Sequence, residues 1–89
     1  MFQMYECFRR TKPEEFEGST DLVIAEEWLN SVQIILDFLN LTDQDMVRCA
    51  TFLLKRDARY WWQTVKLCRN VAEMTWEEFV IEFNLKYYN

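Results

Sequence analysis

Asp57-Ala58-Arg59-Tyr60-Trp61-Trp62, answered by Thr75-Trp76-Glu77-Glu78-Phe79, is where the fold is decided. Three of the four tryptophans lie in these two segments. Neighbouring positions on a helix point about 100° apart. Trp61 and Trp62 therefore cannot share one narrow stripe; they must span a broad buried face or serve two neighbours. That much ring volume in the middle of an 89-residue chain predicts a core built there. The second segment has the grammar of a helix start. Thr75 is a good N-cap, Glu78 stands at N3 and can close a capping box, and Met74 and Phe79 are spaced as a hydrophobic staple.

The same grammar recurs upstream. Ser19-Thr20-Asp21 offers three N-caps. Ala25, Trp28, Leu29, Val32, Ile35, Leu36 and Leu39 follow at helical spacing, and Asn40 suits a left-handed cap, which predicts a helix over 22–39. Thr42 caps with Asp45 at N3, Leu41 and Met46 form a second staple, and Met46, Val47, Ala50, Leu53 and Leu54 predict a helix over 43–54. A tight break at Lys55-Arg56-Asp57, with Asp57 as cap, leads into Ala58, Trp61, Trp62, Val65 and Cys68, a helix over 58–69. After a short loop, Trp76, Phe79, Val80, Phe83 and Tyr87 mark the last, over 76–87. Period-two runs are absent. One glycine and one proline leave little turn chemistry for hairpins. The expectation is an all-α, compact four-helix domain. Its core is expected from Trp28, Leu29, Val32, Leu36, Val47, Ala50, Leu54, Ala58, Trp61, Trp62, Val65, Trp76, Phe79 and Phe83.

Residues 1–18 show no sustained 3.6-residue period. Pro13 biases Lys12 toward extended backbone, and Gly18 marks a turn. The reading is an extended N-terminal arm (1–18) packing on a helical lobe (19–89), with Phe8 and Phe16 as its anchors.

Half the residues are hydrophobic and 17% are aromatic, which argues against disorder. There is no histidine, so Ser-His and Cys-His nucleophiles have no base in this chain. Three cysteines (Cys7, Cys49, Cys68) with no C-x-x-C pair argue against zinc; reduced thiols in a reducing compartment are expected. A single glycine excludes a glycine-rich phosphate loop. The carboxylate pairs Glu14-Glu15, Glu26-Glu27 and Glu77-Glu78 diverge on a helix, and two of them suit first turns. No catalytic residue, metal ligand or cofactor is expected. No apolar run reaches membrane-span length and no secretory signal pattern opens the chain, so a membrane is not an expected partner.

The net charge of −5 disfavours RNA binding by this segment. The charge is unevenly placed. From Arg48 to Arg69 six basic residues face one acid; from Asp21 to Asp37 there are four acids and no base. Two solvated helix faces would look like this, and so would a molecule built for head-to-tail packing with its own copies. Several large apolar residues also fall off the helical stripes: Ile34, Phe38, Phe52, Tyr60, Leu67, Ile81, Leu85 and Tyr88. A contiguous patch of such residues would mark a partner surface. All but Leu67 are taken as the candidate assembly surface.

Five motifs stand in order along the chain. They are Pro13-x-x-Phe16-x-Gly18-x-x-Asp21, Ala25-x-x-Trp28-Leu29, Ala50-Thr51-Phe52-x-Leu54, Ala58-x-x-Trp61-Trp62 and Thr75-Trp76-x-x-Phe79-x-x-x-Phe83-x-x-x-Tyr87. Together they resemble the retrotransposon Gag domain, most closely the Ty3/gypsy-type versions of LTR elements common in plants, over residues 8–88. The resemblance implies the N-terminal lobe of a capsid: a non-enzymatic helical unit that self-associates into a particle around the element's RNA. The fragment alone is expected to be a monomer or weak dimer, in the cytoplasm or the nucleus. A linker to a second lobe is expected near Asn89, and RNA packaging by a zinc knuckle is not assigned to this segment. An alternative is a domesticated Gag-derived module that holds a short Pro- or Phe-containing peptide in an apolar groove, with Phe8, Pro13 and Phe16 as candidate arm and groove residues. Two positions depart from the family's pattern. Leu22 stands where proline often follows the aspartate, and Arg56 stands where glycine often separates the second and third helices.

Overall fold

The computed structural model describes residues 3–88, so the first two positions of the arm lie outside it. The chain runs α1 (Gln3–Arg10), α2 (Leu22–Leu39), α3 (Asp43–Phe52), α4 (Arg56–Cys68), a 3₁₀ turn (Val71–Glu73) and α5 (Trp76–Tyr87). It is all-α, and the four expected helices are present. Three of them start on local caps. Asp21 accepts the Val23 N–H, Thr42 accepts the Asp45 N–H, and Thr75 and Glu78 close a full capping box. Asn40 ends α2 at φ 56°, and its N–H donates to Leu36 and Asp37 carbonyls. A left-handed residue there satisfies carbonyls that the last helical turn leaves open.

Two boundaries differ from expectation by two residues each, for one reason. α3 stops at Phe52 rather than 54, and α4 starts at Arg56 rather than 58, so Asp57 is not its cap. The arm intervenes. The Phe16 N–H donates to the Leu53 carbonyl (2.9 Å), and the Lys55 N–H donates to the Phe16 carbonyl (2.8 Å). Phe16 and Leu54 thus form an isolated parallel bridge. Backbone groups that would have continued α3 are taken by a segment nearly forty residues upstream.

The arm itself is extended only in its second half. Gln3–Arg10 is helical, contrary to the extended reading. Phe8 is fully buried, and α1 packs on α2. Residues 1–18 carry no sustained helical repeat for periodicity to detect; tertiary contact decides the conformation. The helix ends where the Thr11 hydroxyl and N–H both donate to the Phe8 carbonyl. Lys12 is not extended as expected but left-handed, at φ 51°. Pro13 disfavours right-handed helix at Lys12, and the chain turns the other way.

Phe8 and Phe16 belong to the same buried cluster as the helices, so the arm is part of the core. Phe16 stacks on Trp28 (5.1 Å), meets Tyr87 edge-on (5.0 Å) and lies 5.4 Å from Phe83. Trp62 meets Phe79 edge-on, and Trp76 stacks on the same ring. Both part-buried indole N–H groups with bonds are well served: Trp28 Nε1 donates to the Glu14 carbonyl, and Trp76 Nε1 donates to Gln33 Oε1. Every residue expected in the core is buried except Trp61, which is half-buried. One helical step separates it from Trp62. That step turns it from Phe79 toward Tyr87 (5.5 Å) at the rim of the arm.

Candidate functional site

The helices set up a three-part outer face. α5 has α2 along one edge, through Gln33 to Trp76 and Glu26 to Tyr88. It has α4 along the other, where Arg69 holds both Glu82 and Glu78. Asn84 lines a hollow shared with α2, while Glu82 faces α4. Two helical steps place those positions about 160° apart on α5. The outer faces of α2 and α4 therefore look away from each other.

The seven candidate assembly residues are all exposed. They do not form one patch. Ile34 and Phe38 lie one turn apart on α2, at 70% and 82% exposure. Ile81, Leu85 and Tyr88 follow one stripe of α5, opposite its buried residues. Tyr60 lies on α4, about two turns before Leu67, which is 87% exposed. Phe52 sits alone of these on α3, with the Lys55 ammonium over its ring. The structure adds Leu22, Val23 and Ile24, exposed in the first turn of α2. Three consecutive apolar residues before Ala25, the first on the buried stripe, were the visible signal.

A second feature lies where the arm meets α4 and α5. An open hollow of about 880 Å³ is lined by Gly18, Leu22, Tyr60, Trp61, Lys86 and Tyr87, among others. Gly18 needs its freedom here. It sits at φ 98°, and a Cβ would come 3.3 Å from Asp57 Cβ and 3.4 Å from the Tyr87 hydroxyl. Burial, reinforced by the Asp57 carboxylate, pushes the Tyr87 phenol above its ordinary value. Of the arm's candidates, Phe16 sits among Trp28, Phe83 and Tyr87, Phe8 is fully buried, and Pro13 is half-buried.

The basic segment is partly consumed internally. Lys55 lies 3.9 Å from Glu15, Arg56 lies 3.6 Å from Glu17, and Arg69 pairs with α5. Exposed pairs of this kind contribute little each. The Thr75 N–H donates to Glu78 Oε1, which with Arg69 nearby holds that carboxyl below its usual value. Cys49 is fully buried, and burial with Asp45 nearby pushes its thiol up to about 11; Cys7 and Cys68 are exposed and free. Among the described residues no cluster of His, Cys, Asp or Glu could hold a metal ion, and no helix is long and apolar enough to cross a membrane.

An all-helical lobe is the architecture that the Gag resemblance implies. No curated protein and no solved structure matches the chain. Residues 10–88 do match the family model of the N-terminal capsid-like domain of the retrotransposon-derived protein PEG10, and the chain belongs to that family of capsid-like domains.

Proposed function

We propose that this domain is a structural, non-enzymatic capsid lobe of a Ty3/gypsy-type element, which self-associates within a particle around the element's RNA. The observation that carries this reading is the amount of large apolar surface outside a complete core. Ile34, Phe38, Tyr60, Leu67 and Leu85 are each more than half exposed, although the domain buries a full aromatic cluster. Patches of that kind suit partners, and many weak repeated contacts suit closed assemblies. RNA contacts are left to segments outside this lobe, because the chain is acidic overall. Sedimentation of a two-lobe protein carrying this domain, at low and high salt, tests the reading. Salt-sensitive particles are expected. A monomer at every salt concentration would refute it.

The hollow beside the arm supports a second reading, a peptide-binding module derived from Gag. Trp61 is half-buried at its edge, and the arm leaves it open. Titrating Pro- and Phe-containing peptides against the intact chain, followed by tryptophan fluorescence, discriminates. Saturable binding that Trp61→Ala abolishes favours the module; no change at millimolar peptide removes it.

A further inference from the structure

The outer flanks of α2 and α4 complement each other in charge. On the α2 side the helix carries Glu26, Glu27 and Asp37 and no basic residue. Near its C-terminal end Phe38 projects at 82% exposure, with Asp37 beside it and Ile34 one turn earlier. A groove of about 270 Å³ runs between α3, α4 and the 3₁₀ turn. Val47, Trp62 and Val71 supply its apolar surface, and Arg48, Lys66 and Thr51 stand among its lining residues. No acid lines it. Among the described residues neither Arg48 nor Lys66 is held in an ion pair, unlike Lys55, Arg56 and Arg69 of the same basic segment.

We propose that this groove receives the C-terminal turn of α2 from a second copy of the chain, with Phe38 on the apolar floor and Asp37 between Arg48 and Lys66. The proposal rests on the self-association reading and names the contact. The occupant follows from the charges. A partner must offer one bulky apolar side chain next to an acid, and α2 of the same chain carries that pair. Two cations on an apolar floor are a poor match for nucleic acid, whose affinity comes from many phosphate contacts. The two surfaces differ, so the contact is head-to-tail, and each copy keeps one free donor and one free acceptor face. One such contact is small, so the isolated domain associates only weakly.

Complementary charge reversal tests it. Asp37→Lys and the double variant Arg48→Glu/Lys66→Glu alter exposed side chains, and far-UV circular dichroism confirms that each folds. Sedimentation and NMR shift changes are followed from micromolar to millimolar protein. Each variant alone should associate about tenfold or more weakly than wild type, because like charges then face each other. Their equimolar mixture should regain association with the two variants alternating, since the α2 turn of each then meets a groove of opposite charge on the other. Wild-type association that persists in both variants, or a mixture that fails to recover, overturns this contact and leaves self-association standing. A wild type that stays monomeric at millimolar concentration, in a two-lobe protein as well as alone, overturns both.

Discussion

α4 and α5 begin in opposite ways. The start of α5 is self-sufficient: Thr75 and Glu78 exchange bonds with each other's backbone within four residues. The start of α4 is borrowed. Its N-cap, Lys55, makes no side-chain cap bond, Arg56 stands at φ 49°, and the Ala58 N–H reaches the Glu17 carbonyl of the arm. One helix start is specified by neighbours in sequence, the other by a strand of arm that packs Phe16 into the core. The second arrangement makes the arm and α4 a single cooperative unit.

The sharpest way to break the contrast is Phe16→Ala. Loss of that ring from a site shared with Trp28, Phe83 and Tyr87 should cost about 3–5 kcal/mol in denaturant unfolding. Amide exchange should quicken most at Ala58 and Arg59 and least at Phe79. Equal quickening at both helix starts would dissolve the distinction. Arg56→Gly should do the reverse and stabilise the domain by about 1 kcal/mol, because glycine carries no penalty for the left-handed conformation that Arg56 adopts. Thr75→Ala should destabilise by about 1 kcal/mol, with exchange rising at Glu78 and Phe79 while Ala58 is unchanged.

The capping box also titrates. Glu78 has its carboxyl lowered in the folded state, so its contribution is present above the unfolded value, near 4.5, and is lost as pH falls through the folded value. Protection from exchange at the start of α5, taken relative to the intrinsic rate at each pH, should therefore fall on acidification in wild type and be flat in Glu78→Gln. The smallest effect is expected from Glu15→Gln. Its exposed pair with Lys55 should matter by less than about 0.5 kcal/mol, because backbone bonds and the Phe16 ring hold the arm.

The same division explains what could be read in advance. The α2 and α5 boundaries follow from caps and stripes that lie within the helices, and both were legible residue by residue. The α3 and α4 limits depended on Phe16 capturing Leu53 and Lys55, which no local pattern announces. Arg56 is intermediate. The family's preference for glycine marked the position, and the left-handed backbone persists although arginine occupies it. α1 was invisible because, among its described side chains, Phe8 is the buried one. For the candidate surface, exposure of Ile34 and Phe38 followed from their place off the stripe, but which charged groups stay free did not. Lys55, Arg56 and Arg69 are engaged by acids brought near through folding, and Arg59 donates to the Leu54 carbonyl, which leaves Arg48 and Lys66.

Phe16 waits for Phe83 and Tyr87, which are among the last residues of the segment to be made. During vectorial synthesis the earlier helices can form turns, but the ring cluster cannot seal until α5 has left the ribosome. A nascent chain halted before Phe83 should thus remain protease-sensitive throughout, and acquire resistance in one step when those final aromatic residues emerge.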